Sequence, residues 1–195
     1  VGPLEQFEHR GRPLLGHVLE TSLGLEAAAT YVVYGHGGEQ VLPAFEGRDV
    51  QWVLQAEQHG TGHAVAQAMP LIPDDHQVLV LYGDVPMVQL DTLARLVAAA
   101  GPDAVSLLSV MLPDPTGYGR VVRDGAGRVA EIVEVAEARR RPNAAELLAI
   151  TELNAGVYCF DGEWLWANID HLPVREARRG REQYLTDMIE MAVGQ

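Results

Sequence analysis

Residues Gln77–Pro86, with the sequence QVLVLYGDVP, contain four consecutive apolar side chains followed by Tyr82. Because no polar residue alternates with them, the pattern is typical of a strand covered on both faces, in the interior of a parallel sheet. The run stops at Gly83-Asp84, which predicts the Asp84 carboxylate just beyond the carboxyl end of a central strand, where open α/β sheets bind ligands. Gly-Asp is also common in turns, so a simple turn is an equally good interpretation of these residues alone.

Helical and strand patterns alternate along the chain up to Leu112. This order is typical of parallel strands joined by crossover connections. The predicted helices cover Pro13–Leu25, Glu39–Phe45, a segment opened by Gly60–Ala64 that leads to Met69, and Leu90–Ala100, which Gly101-Pro102 ends. The predicted strands besides Val78–Tyr82 cover Thr30–Tyr34, Val50–Gln55 and Ala104–Leu112.

The pattern changes after Asp114, where turn residues precede a predicted antiparallel hairpin. Val121–Asp124 is expected to pair with Arg128–Glu134 across Gly125-Ala126-Gly127. Next comes a charged, alanine-rich segment, Val135–Leu148, with Arg139-Arg140-Arg141 predicted on a solvated face. A strand is predicted at Leu153–Phe160. Two helices follow, Glu163–Leu172 and Gln183–Val193, and the arginine-rich segment Arg175–Arg181 joins them. We therefore predict an α/β fold with a mostly parallel central sheet, in which Val78–Tyr82 is interior and the hairpin covers one edge.

Length and composition indicate a globular protein. The chain has 195 residues, of which 48% are hydrophobic and 21% charged, and its length suits a single domain, residues 1–195. No apolar run reaches the length of a membrane span and no signal-peptide pattern opens the sequence, so we expect no membrane partner. Cys159 is the only cysteine and lies in an apolar run, which predicts a packed thiol in a reducing, cytoplasmic setting.

The charge of the chain limits its partners. The formal net charge of -13 argues against nucleic acid or an anionic membrane as a partner. All 14 basic residues are arginine, so chemistry that requires a Schiff-base lysine is excluded. Any phosphate bound here must be held by arginine, backbone amides or a divalent cation.

Side chains suited to ligand binding lie at the ends of predicted elements: Gln55, Gly60, Thr61, Asp84, Gly119, Glu134 and Asn154. An amide that donates and accepts, as in Gln55, suits the imide edge of uracil. Thr61 is predicted to cap the helix it opens, and an ordinary cap is the simpler interpretation of Gly60-Thr61. A carboxylate such as Asp84 suits Mg²⁺ that bridges substrate phosphates. Glu134 and Asn154 suit sugar hydroxyls or an acetamido group, so together these types favour a nucleotide-sugar.

The sequence resembles bacterial N-acetylglucosamine-1-phosphate uridyltransferases in four longer runs, which have the order and spacing of that family: QWVLQAEQHGTGHA, VLYGDVP, DPTGYGRVVRDGAGRVAEIVE and ELNAGVY. The shorter VYGHGGE and YLTDMIE extend the similarity over nearly the whole chain. The resemblance implies a Rossmann-like nucleotidyltransferase fold with a small sugar-binding lobe. It also implies that UTP and an amino-sugar 1-phosphate are the substrates and that Mg²⁺ is the cofactor. In such a reaction the substrate phosphate is the nucleophile, so the protein supplies positioning and charge neutralisation.

The resemblance also implies roles for single residues. Gln55, Gly60 and Thr61 would bind uracil, while Tyr82 and Asp84 would flank the metal and the phosphates. The amino sugar would be held by five residues: Gly119, Glu134, Asn154, Tyr184 and Thr186.

The sequence departs from this family in its phosphate-binding parts. The family begins with a glycine-rich loop of the type LAAGxGTRM and a Pro-Lys pair, whereas this sequence starts beyond the loop and reads Pro3-Leu4. The lysine that often follows the Glu134 position is absent, and the sequence stops at Gln195, before a second metal ligand and an acetyltransferase β-helix. We therefore expect a uridyltransferase domain that is incomplete at both ends, with its oligomeric state open.

Three functional hypotheses stay open from the sequence. The first is a divergent or truncated uridyltransferase that is active when complete. The second is a non-catalytic nucleotide-sugar-binding or regulatory module, and the third is a nucleotidyltransferase for another sugar or base. We expect the 195 residues by themselves to bind a uridine nucleotide-sugar weakly and to have little pyrophosphorylase activity.

Overall fold

Strands and helices alternate along the described part of the chain, which in this computed structural model covers residues 8–9, 11–100, 104–177 and 180–194. The strands are β1 Glu8–His9, β2 Arg12–Pro13, β3 Tyr31–Tyr34, β4 Gln51–Leu54, β5 Gln77–Leu81, β6 Val105–Met111, β7 Arg120–Arg123, β8 Val129–Val133, β9 Glu152–Asp161, β10 Arg175–Ala177 and β11 Gly180–Glu182. The helices are α1 Leu14–Leu23, α2 Thr61–Ala66, α3 Leu90–Ala99, α4 Val135–Ala138, α5 Ala144–Ala149, α6 Gly162–Asn168 and α7 Asp187–Val193. The predicted α/β class is confirmed.

The ten-residue strand β9 organises a five-stranded antiparallel sheet. One edge of β9 pairs with β6, and the other edge pairs first with β7 at Leu153 and then with β5 from Val157 to Asp161. An irregularity in the pairing with β6 falls where β9 changes partner, and there Gly156 has a φ of +70°. The strand thus bends between its two partners next to Asn154.

The predicted hairpin is confirmed, with β7 paired to β8 across the Gly125–Gly127 turn. The expected direction of the sheet was wrong. Among the described strands, only β3 and β4 form a parallel ladder, and β5 has β9 as its one ladder partner instead of an interior position between parallel strands. Alternate β5 side chains enter different apolar clusters, Val78 and Val80 on one face and Leu79 and Leu81 on the other. Its apolar sequence reflects cover on both faces, which does not determine how the strand edges pair.

A gap separates β3 from β5. A cavity of about 280 Å³ is lined by the first residues of both strands, from Tyr31 and from Gln77, and a second of about 710 Å³ by their last residues, Tyr34 and Leu81. The two strands therefore line the same cavities without pairing to each other. The parallel half of the fold is divided from the antiparallel sheet at this gap.

Several predicted elements have different bounds in the structure. Residues 38–45 form two short 3₁₀ helices instead of one α-helix, in a segment with left-handed Gly37 before it and Pro43 within it. The 135–148 segment is divided into α4 and α5, and α7 begins at Asp187 instead of Gln183. Within the described residues, the arginine-rich connection contains the hairpin β10–β11. Gly101-Pro102 and Pro3-Leu4 lie outside the described residues.

Two further expectations concern single side chains. Cys159 is fully buried in the sheet, as predicted, and burial raises the pKa of its thiol to about 11. Arg141 is not a solvated arginine, because its guanidinium binds Glu131 and Glu137 at 2.7 Å, whereas Arg139 and Arg140 are exposed. Among the described residues, no helix has both the length and the apolar character that a membrane span requires.

Candidate functional site

Three of the predicted site residues lie in one row across three neighbouring strands. Arg120 of β7 pairs with Val133 of β8 and with Leu153 of β9, so Gly119 lies opposite Glu134 and Asn154 at the next position. The Gly119 carbonyl accepts a hydrogen bond of 2.9 Å from the Asn154 amide. A Cβ atom at Gly119 would lie 3.2 Å from Glu134 Oε1, so glycine permits this close approach. We call Gly119, Glu134 and Asn154 the site row.

The Glu134 carboxyl lies in a partly buried and acidic environment. Burial raises its pKa above the ordinary value of 4.5, and the negative charges of Glu137 and Asp187 raise it further. The Asp187 charge is itself neutralised by Arg175, which donates two hydrogen bonds of 2.7 and 2.8 Å to the carboxylate. Among the described residues, Glu134 forms no such ion pair with an arginine. Its carboxyl is therefore the member of this cluster that is suited to a neutral hydroxyl or amide.

Asn154 is held by its own strand. Its Nδ2 donates to the Tyr158 hydroxyl at 2.6 Å, and its Oδ1 accepts from the Gly156 amide at 3.0 Å. Tyr158 is fully buried, and burial raises the pKa of its phenol strongly. The side chain of Asn154 therefore has a fixed orientation, which a residue in a flexible loop would lack.

Tyr82 connects the site row to α2. Its ring centroid lies 6.3 Å from that of Tyr158, and its side chain lines the same cavity as Thr61. Burial raises the pKa of the phenol. The Tyr82 ring packs on the main chain of Gly156, where a Cβ atom would lie 2.6 Å from the ring. Tyr82 thus lies at the junction of the two halves of the site.

Gln55 is buried and directed towards the start of α2. Its Nε2 donates to the Gly60 carbonyl at 3.0 Å and lies 2.9 Å from His63 Nδ1. Gly60 has a φ of +97°, and a Cβ atom there would lie 2.5 Å from the carbonyl oxygen of Gln183. Only glycine fits this position. The structure thus brings Gln55 and Gly60 together, with the amide nitrogen of Gln55 used inside the protein.

Thr61 does not cap α2, which corrects the expected N-cap. Gly60 is the N-cap, and the Thr61 hydroxyl instead accepts a hydrogen bond of 2.9 Å from the Leu185 amide. Main-chain bonds from Gly62 to Gln183 and from Gln183 to His59 complete the contact between loop 59–62 and residues 183–185. Thr61 is the first residue of α2 and not the residue before it, and its hydroxyl is directed towards this long-range partner.

Tyr184 and Thr186 lie next to this contact. Tyr184 is partly buried; burial raises the pKa of its phenol, and the charges of Glu182, Glu134 and Asp187 raise it further. Tyr184 is therefore close to the site row. Thr186 is 4% exposed at the start of α7, so the protein itself encloses it.

Asp84 is exposed beyond the end of β5. Gly83-Asp84 does form a turn, closed by a hydrogen bond of 3.1 Å from the Val85 amide to the Tyr82 carbonyl. Asp84 also lines the cavity of about 710 Å³ together with Thr61 and Tyr82, so the turn and the ligand-site interpretations are compatible. Among the described residues, no group of three or more His, Cys, Asp or Glu side chains could hold a metal ion. Asp84 therefore offers one carboxylate at an open position.

Comparison with known proteins identifies the family. Residues 4–155 match the model of the MobA-like NTP transferase domain. The chain belongs to this family. Among its relatives, a protein named Bifunctional protein GlmU from Alkalilimnicola ehrlichii is 51% identical over 183 residues, which are 94% of this chain and 38% of the relative. The protein of the same name from Aromatoleum aromaticum is 47% identical over 95% of this chain and 39% of its own length. The chain thus spans about two fifths of these curated relatives.

The MobA-like fold is also found among solved structures. A UDP-glucose pyrophosphorylase complexed with UDP-glucose superposes with a TM-score of 0.68 at 13% identity, over 95% of this chain and 76% of the other. The apo form of a UDP-glucose pyrophosphorylase gives a TM-score of 0.67 at the same identity. At this identity the similarity concerns the fold alone.

Sequence reasoning missed residues that connect the predicted site of this MobA-like domain. Tyr158 was hidden in an apolar strand, although its position four residues after Asn154 in NAGVY gave a signal. Gln183 and Asp187 gave none, because their roles depend on contacts with loop 59–62 and with Arg175.

Proposed function

We propose that this domain belongs to a sugar-1-phosphate nucleotidyltransferase that forms UDP-N-acetylglucosamine and pyrophosphate from UTP and N-acetylglucosamine 1-phosphate. The observation that carries the proposal is the proximity of Gln55 and Thr61, by way of Tyr82, to the site row. This proximity supports a single site in which the groups suited to uracil and the groups suited to a sugar lie together. In the reaction, a phosphate oxygen of the sugar phosphate bonds to the α-phosphorus of UTP, and the bond to the leaving pyrophosphate breaks.

The site row would bind the amino sugar. We propose that Glu134 accepts a hydrogen bond from a sugar hydroxyl or donates as a neutral acid, and that the Gly119 main chain contacts the acetamido group. Asn154 would present its carboxamide in the orientation that Tyr158 sets. Tyr184 would border the same pocket, while the buried Thr186 would support it from within the protein.

Loop 59–62 would bind uracil. We propose that Gly60 and Thr61 present their main chain to the base, since the side chain of Thr61 is used by Leu185. Gln55 would contribute through its amide oxygen, while its Nε2 holds the Gly60 carbonyl. Tyr82 would lie between the base and the sugar and would place the phosphates next to Asp84.

The donor set at Asp84 fits Mg²⁺ that is shared with substrate. One exposed carboxylate provides one hard oxygen ligand, and Mg²⁺ commonly completes its coordination with phosphate oxygens and water. When bound, this cofactor neutralises charge that develops on the phosphates. Asp84 would hold it at the end of β5 and would thereby orient the α-phosphate towards the sugar phosphate.

A binding role without catalysis is the second candidate for the 195 residues by themselves. A net charge of -13 and the absence of lysine leave the phosphates of UTP with little compensation from this part of the protein. We propose that these residues bind the nucleotide-sugar weakly and that appreciable turnover needs basic groups from elsewhere in a longer protein. The reaction would take place in the cytoplasm, where the Cys159 thiol stays reduced, and its product would serve cell-wall precursor synthesis.

Pyrophosphate release tests the proposal. The reaction would contain UTP, N-acetylglucosamine 1-phosphate and Mg²⁺, with Asp84→Ala as the blank and glucose 1-phosphate as the competing sugar. We expect turnover far below the roughly 10 per second of an ordinary enzyme, together with calorimetric binding of UDP-N-acetylglucosamine. The absence of both binding and turnover would contradict the proposed site. Full turnover that Asp84→Ala abolishes would contradict the need for further basic groups.

A further inference from the structure

Arg120 is a buried cation without a carboxylate partner among the described residues. Its side chain is 3% exposed, Nη1 donates to the Tyr118 carbonyl, and Nη2 donates to the Leu148 carbonyl at 3.4 Å. Its Nε is buried and has no hydrogen-bond partner. The other arginine of β7, Arg123, is instead partly exposed and binds Glu152 through two nitrogens.

This burial is costly for a charged group. Removing a guanidinium from water without a compensating anion destabilises the folded state, and apolar replacements of buried charges are often neutral or stabilising. Arg120 instead fixes the positions of two hydrogen-bond acceptors, because its planar guanidinium can bind both at once. The acceptors here are main-chain carbonyls from different elements, the turn before β7 and the last turn of α5.

One of these two carbonyls adjoins the site row. The Tyr118 carbonyl belongs to the peptide that enters Gly119, and Arg120 itself pairs with Val133 and Leu153, the neighbours of Glu134 and Asn154. Because side chains alternate along a strand, Arg120 and the residues of the site row project from opposite faces of the sheet. Arg120 therefore supports the site row from the opposite face of the sheet.

We propose that Arg120 is a positioning residue for the sugar half of the site. It fixes the Gly119 main chain against Glu134 and Asn154 by fastening the 118–119 peptide to α5. This inference rests on the proposed function, since it assigns the site row to a sugar. It gives Arg120 no contact with substrate and no part in binding the uridine.

Calorimetry of the 195-residue chain with UDP-N-acetylglucosamine and with UDP tests this role. The wild type is expected to prefer the nucleotide-sugar. Arg120→Met should weaken its binding about tenfold, the equivalent of one or two hydrogen bonds from the sugar, and should leave UDP binding unchanged. Thermal unfolding should show no loss of stability, because a buried unpaired charge is removed. Arg123→Met, in the same strand, is the matched control and should keep the wild-type preference.

The outcomes separate the two proposals. Equal wild-type affinity for both probes would overturn the sugar pocket and with it the role of Arg120. A wild-type preference that survives Arg120→Met, or an equal loss for both probes, would overturn the role of Arg120 alone. If Arg120→Met does not fold, Arg120→Lys decides, because a single ammonium cannot span both carbonyls. We expect about threefold loss for the nucleotide-sugar only, and full retention would contradict the inference.

Discussion

The two halves of the candidate site are built in different ways. The site row lies in a continuous antiparallel sheet, where neighbouring strands set the positions of Gly119, Glu134 and Asn154. Loop 59–62 belongs to the parallel half, beyond the gap between β3 and β5, and is held by residues 183–185. Ladder register therefore determines one half, whereas a contact between distant parts of the sequence determines the other.

Breaking the distant contact should have the largest effect. Gly60→Ala places a Cβ atom 2.5 Å from the Gln183 carbonyl in a backbone region that only glycine adopts readily. We expect it to lower the free energy of unfolding by about 2–4 kcal/mol and to abolish uridine binding. Chemical denaturation measures the first effect and calorimetry with UDP the second.

The control for this substitution is Gly127→Ala. Gly127 also has positive φ, +80°, but a Cβ atom there would meet nothing within 4 Å. Backbone strain alone should then cost about 1–2 kcal/mol. Equal losses in the two variants would show that the contact with Gln183 contributes nothing beyond the backbone conformation.

Removing the connection between the halves should have an intermediate effect. Tyr82→Phe deletes the buried hydroxyl between Thr61 and Tyr158, and we expect a loss of about 1–2 kcal/mol in the free energy of unfolding. Tyr31→Phe is the control, since the Tyr31 hydroxyl donates a single exposed bond of 2.8 Å to the Leu71 carbonyl. A smaller loss for Tyr82→Phe than for Tyr31→Phe would contradict the proposed junction.

The smallest effect on stability concerns Glu134 and depends on pH. Its pKa is raised in the folded protein, so the protonated form is favoured by folding, and stability is lost as pH rises from about 4.5 through the folded pKa. Glu134→Gln removes this titration. The variant should therefore melt at a higher temperature than the wild type at pH 7, by a margin that shrinks as the pH falls towards the unfolded pKa.

The exposed Glu146→Gln provides the baseline for general charge effects in a protein of net charge -13. Glu134→Gln should also bind UDP-N-acetylglucosamine about two- to tenfold more weakly at neutral pH, as expected for loss of one hydrogen bond to a charged acceptor. A wild-type melting temperature at every pH, together with unchanged binding, would remove Glu134 from the site.

The hairpin shows what local sequence can predict. The turn residues Gly125–Gly127 and the apolar runs on either side fixed the pairing of β7 with β8, and hence the place of Gly119 opposite Glu134. The strand direction of β5 was not predictable in this way. An apolar run indicates burial on both faces, but it does not identify the ladder partner. Here that partner is the distant strand β9, in which Val157 pairs with Leu81.

The sequence by itself determined the α/β class, the hairpin and the types of side chain available for a nucleotide-sugar, because turn chemistry and apolar spacing act over a few residues. Only the tertiary structure decided that Thr61 binds Leu185 instead of capping α2, that Tyr82 lies next to both Thr61 and Tyr158, and that Arg120 is buried behind the site row. The physical reason is that a hydroxyl or guanidinium can satisfy its hydrogen bonds with many partners. Which partner it finds depends on distant segments that meet only when the chain folds.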